Sequence, residues 1–277
     1  MFSKNLTITA IASAILLVGC GGGGSSSSND SAKAYYYDSA VAGVEYRCGY
    51  AKGNTDKDGS FEFEAGKDCD FFLGDVKIKV VKSKELFPGK IIVEDNETVA
   101  ALLQTLDYDG NASNGIEIRK DAIKAINKHL KDVNKNHIMP IAPTFIDEVA
   151  NELSQNVAGY NGHKVDVYEA HEHLHKTHQD VIKKFIANKS FYAVAKSEYH
   201  DAYMAKVKID ADVKHANFEN KESLNIEIKG PKIFIEGNYY DFKQYRDYYY
   251  LYCKDNKEEI RLYKKEQLAK KYYNSIK

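Results

Sequence analysis

Four of the nine histidines stand at positions 171, 173, 175 and 178. His171, Glu172 and His175 satisfy H-E-x-x-H, the spacing that puts two imidazoles one helical turn apart on a zinc ion with a carboxylate to activate water. A zinc hydrolase would follow from that pattern, but its surroundings differ. Charged Glu169 and Lys176 flank the pair, and His178 and Val181 occupy the places of the Gly and third His of the extended signature. Glu198, at the distance of a third ligand, borders a predicted strand. A plainer metal site remains. At 100° per residue, His171, His175 and His178 fall within about 60° on one helix edge, beside Val167, Ala170, Leu174 and Val181, with His173 on the opposite edge. Three imidazoles so placed can hold zinc or copper, and His163 can join if its turn folds back. A hydrated helix edge rich in histidine is the alternative.

Asp107, Asp109, Asn111 and Asn114 place side-chain oxygens at alternate positions of a tight turn, as calcium loops do. The EF-hand form is excluded, because its sixth position is Ala112 rather than Gly and its twelfth is Ile118 rather than Glu. Either a variant calcium turn or Asp and Asn capping a glycine-supported loop fits the pattern. Asn54, Asp56 and Asp58 echo it, but Asp58-Gly59 between two strands reads as a hairpin turn.

The chain has 21 tyrosines and no tryptophan. Seven tyrosines lie between 238 and 252. On a strand, Tyr245, Asp247, Tyr249 and Leu251 face one way, while Arg246, Tyr248, Tyr250 and Tyr252 face the other. Both faces cannot be deep core. The Arg246, Tyr248, Tyr250, Tyr252 face has the residue types of a binding patch, and cross-strand aromatic packing is the competing use. No phosphate-binding glycine loop, G-x-S-x-G elbow, paired catalytic cysteine or nucleotide fingerprint occurs, and the cofactors the sequence offers are metal ions, zinc or copper at the histidines and calcium at the Asp/Asn turn.

These residues need elements to hold them. Short alternating runs between Tyr35 and Glu94, broken at Gly53, Asp58-Gly59, Gly66 and Pro88-Gly89, predict a small β unit. The period then lengthens to 3.6. Val99, Leu102, Leu103 and Leu106 mark a first helix, Ile123, Ile126 and Leu130 a second, Phe145, Val149, Ala150 and Leu153 a third, and Ala170, Leu174, Val181 and Phe185 a fourth. From Ser190 alternation returns, cleanest where Leu224, Ile226 and Ile228 interleave with Asn225, Glu227 and Lys229. It predicts an antiparallel sheet with one wet face, closed by a basic C-terminal helix.

The amino terminus supplies an address. Lys4 and an apolar run from Leu6 to Val18 form a signal peptide too short to span a bilayer, and Leu17-Val18-Gly19-Cys20 resembles a bacterial lipobox with Cys20 as the acylated residue. Gly21 stands after the cysteine where the inner-membrane retention signal has Asp, so the resemblance to enterobacterial lipoprotein sorting implies the outer membrane, on its periplasmic or its surface face. The Gly/Ser run to about Ala34 is a flexible tether. In an oxidising compartment Cys48 and Cys69 are expected to pair, worth roughly 3 kcal/mol in the loop-entropy model, leaving Cys253 as a buried free thiol. With 39 basic and 40 acidic side chains, the chain lacks the asymmetry of a nucleic-acid binder.

The order AGVEYRCG, GNTDKDGSFEFEAG, CDFFLGDVKI resembles the transthyretin-like, carboxypeptidase-regulatory type of β module. TVAALLQTLDYDGNASNGIEI and the Glu169, Ala170, His173, Leu174, Thr177 pattern are similar to segments of a group of Gram-negative surface lipoproteins. The resemblance covers about residues 35–180 and implies no catalytic residues. The expected protein is α+β, with an N-terminal small β-sandwich, a helical middle and a C-terminal antiparallel sheet with a closing helix. Its expected parts are a signal peptide (1–19), lipidated cysteine and linker (20–34), β module (35–95), helical domain (96–188) and β domain (189–277). The expected role is binding rather than catalysis, anchored in the membrane by lipid and meeting another envelope or extracellular protein or a glycan.

Overall fold

The computed structural model describes residues 31–130, 140–219 and 222–277. The expected signal peptide, Cys20 and most of the expected linker therefore lie outside the described residues. The first strand, β1 (Ser31–Tyr37), already includes the last residues of the expected linker.

β1 pairs antiparallel with β5 (Ser60–Glu64) and parallel with β8 (Ile91–Val93). A second sheet has the order β4 (Ala51–Asn54), β3 (Glu45–Cys48), β6 (Cys69–Leu73), β7 (Val76–Val81). Alternation puts Tyr36 and Phe61 on the inner face of one sheet and Phe71 on that of the other, and their rings meet: Tyr36–Phe71 at 5.0 Å and Phe61–Phe71 at 4.9 Å between centroids. The disulfide between Cys48 and Cys69 ties β3 to β6 within this core. A short parallel pair, β2 (Val41–Ala42) and β9 (Ile116–Glu117), joins the β unit to the segment after the first helix.

The helices begin where local chemistry allows. The Asn96 side chain accepts from the N–H groups of Thr98 and Val99 to cap α1 (Glu97–Thr105). α2 (Lys120–His129) follows, α3 (Pro143–Asn156) has proline in its first turn, and the Asp166 carboxylate caps α4 (Val167–Ile186). The expected boundary at 95/96 is not a break in packing. One continuous core runs from Ala34 through the sheets and α1 to α3 as far as Leu174, because β residues such as Tyr36 and Val44 share it with Leu102, Leu103 and Val149. The last turns of α4, with Ile182 and Ile186, enter a second core. At 1.5 Å per residue the 20-residue α4 is about 30 Å long, enough to brace both.

The expected C-terminal antiparallel sheet is present, and it is closed on itself. β10 (Ser190–Lys196), β11 (Tyr203–Ile209), β12 (His215–Phe218), β13 (Leu224–Lys229), β14 (Lys232–Ile235), β15 (Asn238–Gln244), β16 (Tyr248–Cys253) and β17 (Glu258–Tyr263) form a closed antiparallel barrel. Closure comes from β17 pairing back onto β10, with Val194 opposite Arg261. Side chains fill the interior, among them Phe191, Val207, Ile226, Ile233, Tyr249, Leu251 and the free, buried Cys253. Phe185 of α4 packs against this core, stacking 5.1 Å from the ring of Tyr249. The closing helix α5 (Glu266–Ile276) lies against the outer wall, where Ala269 packs on Val194 and Tyr263. Among the described residues no helix is long and apolar enough to cross a membrane.

Candidate functional site

The histidines of α4 lie along the seam between the two cores, each with a different neighbour. His171 Nδ1 lies 2.7 Å from Glu97 Oε1 at the start of α1, and its ring is 4.1 Å from that of His175. His175 packs against the turn between β13 and β14, where a Cβ on Gly230 would lie 2.9 Å from its Nδ1. His178 lines a cleft of about 1000 Å3 between β7, β8, α4 and the barrel rim. Burial, then the neighbouring His175, lowers His178 to about 4, so its imidazole is neutral at physiological pH. Glu172 is exposed, and Glu198 is held by Lys257 on the barrel at 2.6 Å. Among the described residues no group of three or more His, Cys, Asp or Glu converges as metal ligands. The H-E-x-x-H spacing thus assembles no zinc-hydrolase geometry.

His173 occupies the opposite edge, as its spacing requires, and enters a cluster the sequence did not signal. Its Nε2 lies 3.2 Å from Ser39 Oγ and 3.6 Å from Asp38 Oδ1, while the Ser39 N–H donates to Thr177 Oγ1 at 3.2 Å. Asp38 is fully buried and is pushed up to about 7 by burial, against the bond it accepts from Gln104 Nε2 at 2.9 Å. Burial also lowers His173. A nucleophilic triad would use the two ring nitrogens separately, one for the serine and one for the carboxylate. Here both groups approach the same nitrogen, so the cluster works as a clamp between the end of β1 and α4. Its two sides, Asp38 with Ser39 and His173 with Thr177, are more than 130 residues apart in sequence, and no motif links them.

The Asp/Asn turn lies between α1 and β9. Asp107 Oδ1 accepts from the Glu117 N–H, and Asp109 accepts from the Asn111 N–H and from Asn114 Nδ2, each at 2.9 Å. Near Gly59, Asp56 Oδ1 accepts from the N–H groups of Asp58 (3.0 Å) and Ser60 (2.8 Å), which makes that segment the expected hairpin turn.

The tyrosine-rich segment is two strands rather than one. β15 ends at Gln244 and β16 starts at Tyr248, so residues 245–247 form the turn between them. Along β16 the expected alternation holds: Tyr249, Leu251 and Cys253 point into the barrel, and Tyr248, Tyr250 and Tyr252 point out. The turn swings Tyr245 to the outer side, where it stacks on Tyr248 at 4.9 Å and 13°. Tyr250 and Tyr252 run parallel within 8° at 6.3 Å. Arg246 does not join them but lines the cleft. The cation of the face is Arg261, which the β16–β17 register places opposite Tyr250; its guanidinium lies 5.1 Å from the Tyr248 ring and 3.7 Å from that of Tyr272 on α5. Reading the last two runs as a hairpin around KDNK would have found it.

Together Asp241, Lys243, Tyr245, Tyr248, Tyr250, Tyr252 and Arg261 line an open hollow of about 400 Å3 on the barrel wall beside α5. Glu259 anchors its edge by accepting from the Tyr272 hydroxyl and pairing with Arg261 at 3.3 Å. Burial, then the Glu259 charge, pushes Tyr250 up to about 12, so its hydroxyl is a neutral donor and acceptor in any physiological setting. The arrangement offers aromatic faces, hydroxyls, one guanidinium, one lysine and one aspartate, which is chemistry for holding a partner. Compared with protein-family models, curated proteins and solved structures, the chain matches none.

Proposed function

We infer that this chain is a lipid-anchored protein of the outer membrane that acts as a non-enzymatic binding module, meeting another envelope or extracellular protein or a glycan. The observation that carries the reading is the aromatic hollow. Tyr245, Tyr248, Tyr250 and Tyr252 stand on the outside of a closed barrel, next to Arg261, where α5 leaves the wall uncovered. Tyrosine and arginine supply large contact area and hydrogen bonding at low conformational cost, and they dominate the energetics of interfaces. The lipobox around Cys20 and the Gly/Ser run after it support the placement, since a flexible tether lets an anchored barrel reach a partner. The β unit whose sequence resembles a transthyretin-like module, with its Cys48–Cys69 disulfide, suits an oxidising compartment.

The test replaces Tyr250 and Tyr252 together by Ser, leaving Tyr248 to pack on Tyr263. Wild type and variant are presented to isolated cell-wall glycan and, separately, to solubilised envelope proteins. The expected result is at least a tenfold loss of retention on one of these with an unchanged melting temperature. Equal retention of both proteins would remove the tyrosine hollow from the binding role.

A further inference from the structure

The turn between α1 and β9 holds a group that its own hydrogen bonds do not satisfy. Asp107 is only 1 % exposed, and one carboxylate oxygen, Oδ1, takes the Glu117 N–H. The other, Oδ2, is buried and meets no donor. Folded proteins seldom leave a buried carboxylate oxygen without a partner, because its desolvation is then uncompensated. Arg119, the cation of this segment, pairs with Glu117 at 2.9 Å and stacks over the Tyr108 ring, so it neutralises neither Asp107 nor Asp109. Asp109 is folded into the same loop by its bonds from Asn111 and Asn114. Oxygen-bearing side chains at 107, 109 and 111 have the alternate spacing by which calcium loops bring donors to one point.

We propose that this turn binds one calcium ion through Asp107 Oδ2 and Asp109, with the Asn111 side chain and carbonyls of the turn supplying the remaining oxygens. All donors are hard oxygens, a set that suits calcium and not zinc, and amide and carbonyl oxygens count among them although they form no cluster of acids or histidines. Two carboxylates place the affinity in roughly the 0.1–1 mM class of extracellular modules. The ion ties the end of α1 to β9, whose Ile116 pairs with Val41 of β2, and so fastens the helices to the β unit.

Melting of the protein is compared in EGTA, in 5 mM calcium and in 5 mM magnesium at matched ionic strength, alongside Asp107→Asn and Asp109→Asn. Calcium is expected to raise the wild-type midpoint by about 2–4 °C and magnesium by less than about 1 °C. Both variants are expected to lose that rise. Asp107→Asn keeps an acceptor for the Glu117 N–H and gains a donor beside Asp109, so its midpoint in EGTA should equal or exceed that of wild type. No rise in wild type, an equal rise in magnesium, or a rise retained by both variants would overturn the proposal. If a variant fails to fold, equilibrium dialysis of wild type against radioactive calcium decides, and much less than one ion per chain at 5 mM sinks the site.

Discussion

The side chain of Gln244, at the end of β15, accepts a hydrogen bond from the backbone N–H of Ile91 in β8 at 3.0 Å, across the junction between the two cores. Its Nε2 donates to Gly89 O at 3.1 Å, and Lys90 Nζ donates to Gln244 O at the same distance. One residue thus joins an edge strand of the first unit to the barrel.

Gln244→Ala leaves the Ile91 N–H without its acceptor, and the expected cost is about 1–3 kcal/mol of stability. Urea denaturation measures it, and hydrogen exchange should rise at residues 89–91 before it rises in the barrel. An unchanged midpoint with unchanged exchange would show that α4 alone holds the junction.

The buried Asp38 makes stability fall with rising pH. Its folded carboxyl keeps a proton up to about 7 against 3.8 for the exposed group, so the unfolded chain ionises first. This contribution is fully present below about pH 4 and is lost as pH rises through about 7, by roughly 2–4 kcal/mol. Asp38→Asn removes the ionisation. Thermal melts should show the variant raised relative to wild type at pH 8 and nearly equal to it at pH 4.5. A difference of the same size at both pH values would mean that Asp38 is not held protonated.

Gly43 and Gly66 both have positive φ, +92° and +80°, but only one has a crowded Cβ position. At Gly43 a Cβ would lie 2.1 Å from the Ile118 carbonyl oxygen, a backbone atom, whereas at Gly66 nothing lies within 4 Å. Gly66→Ala is expected to cost about 1 kcal/mol from backbone strain alone. Gly43→Ala should cost roughly 3 kcal/mol or more, because β2 and β9 must separate. Comparable denaturation midpoints for the two variants would contradict the close approach of those strands.

Much of the local organisation is legible in the sequence. The 3.6-residue stripes at 99–106 and 170–185 become α1 and α4, and the alternation at 224–228 becomes β13, because each pattern only has to present one apolar face. The Cys48–Cys69 pairing is legible as well, since those two lie 21 residues apart in one β unit while Cys20 stands in the amino-terminal stretch that resembles a lipobox and Cys253 in an apolar run. The tyrosine face is half legible. Period-2 spacing separates Tyr248, Tyr250 and Tyr252 from Tyr249 and Leu251, but a turn at 245–247 reassigns Tyr245 and Arg246, and turns obey backbone geometry rather than side-chain period.

By itself, then, the sequence determined which residues lie on a common face of each helix and strand, because period and burial are local properties of a short window. Only the tertiary structure decided the rest. Barrel closure requires β17 to find β10 some 65 residues away, and an open sheet would show the same alternation. The clamp of Asp38 and Ser39 on His173, the Arg261 of the aromatic hollow and the shared core across residue 95 all depend on contacts between distant segments. Such contacts are selected by the packing of whole faces against one another, a quantity that no single window of residues contains.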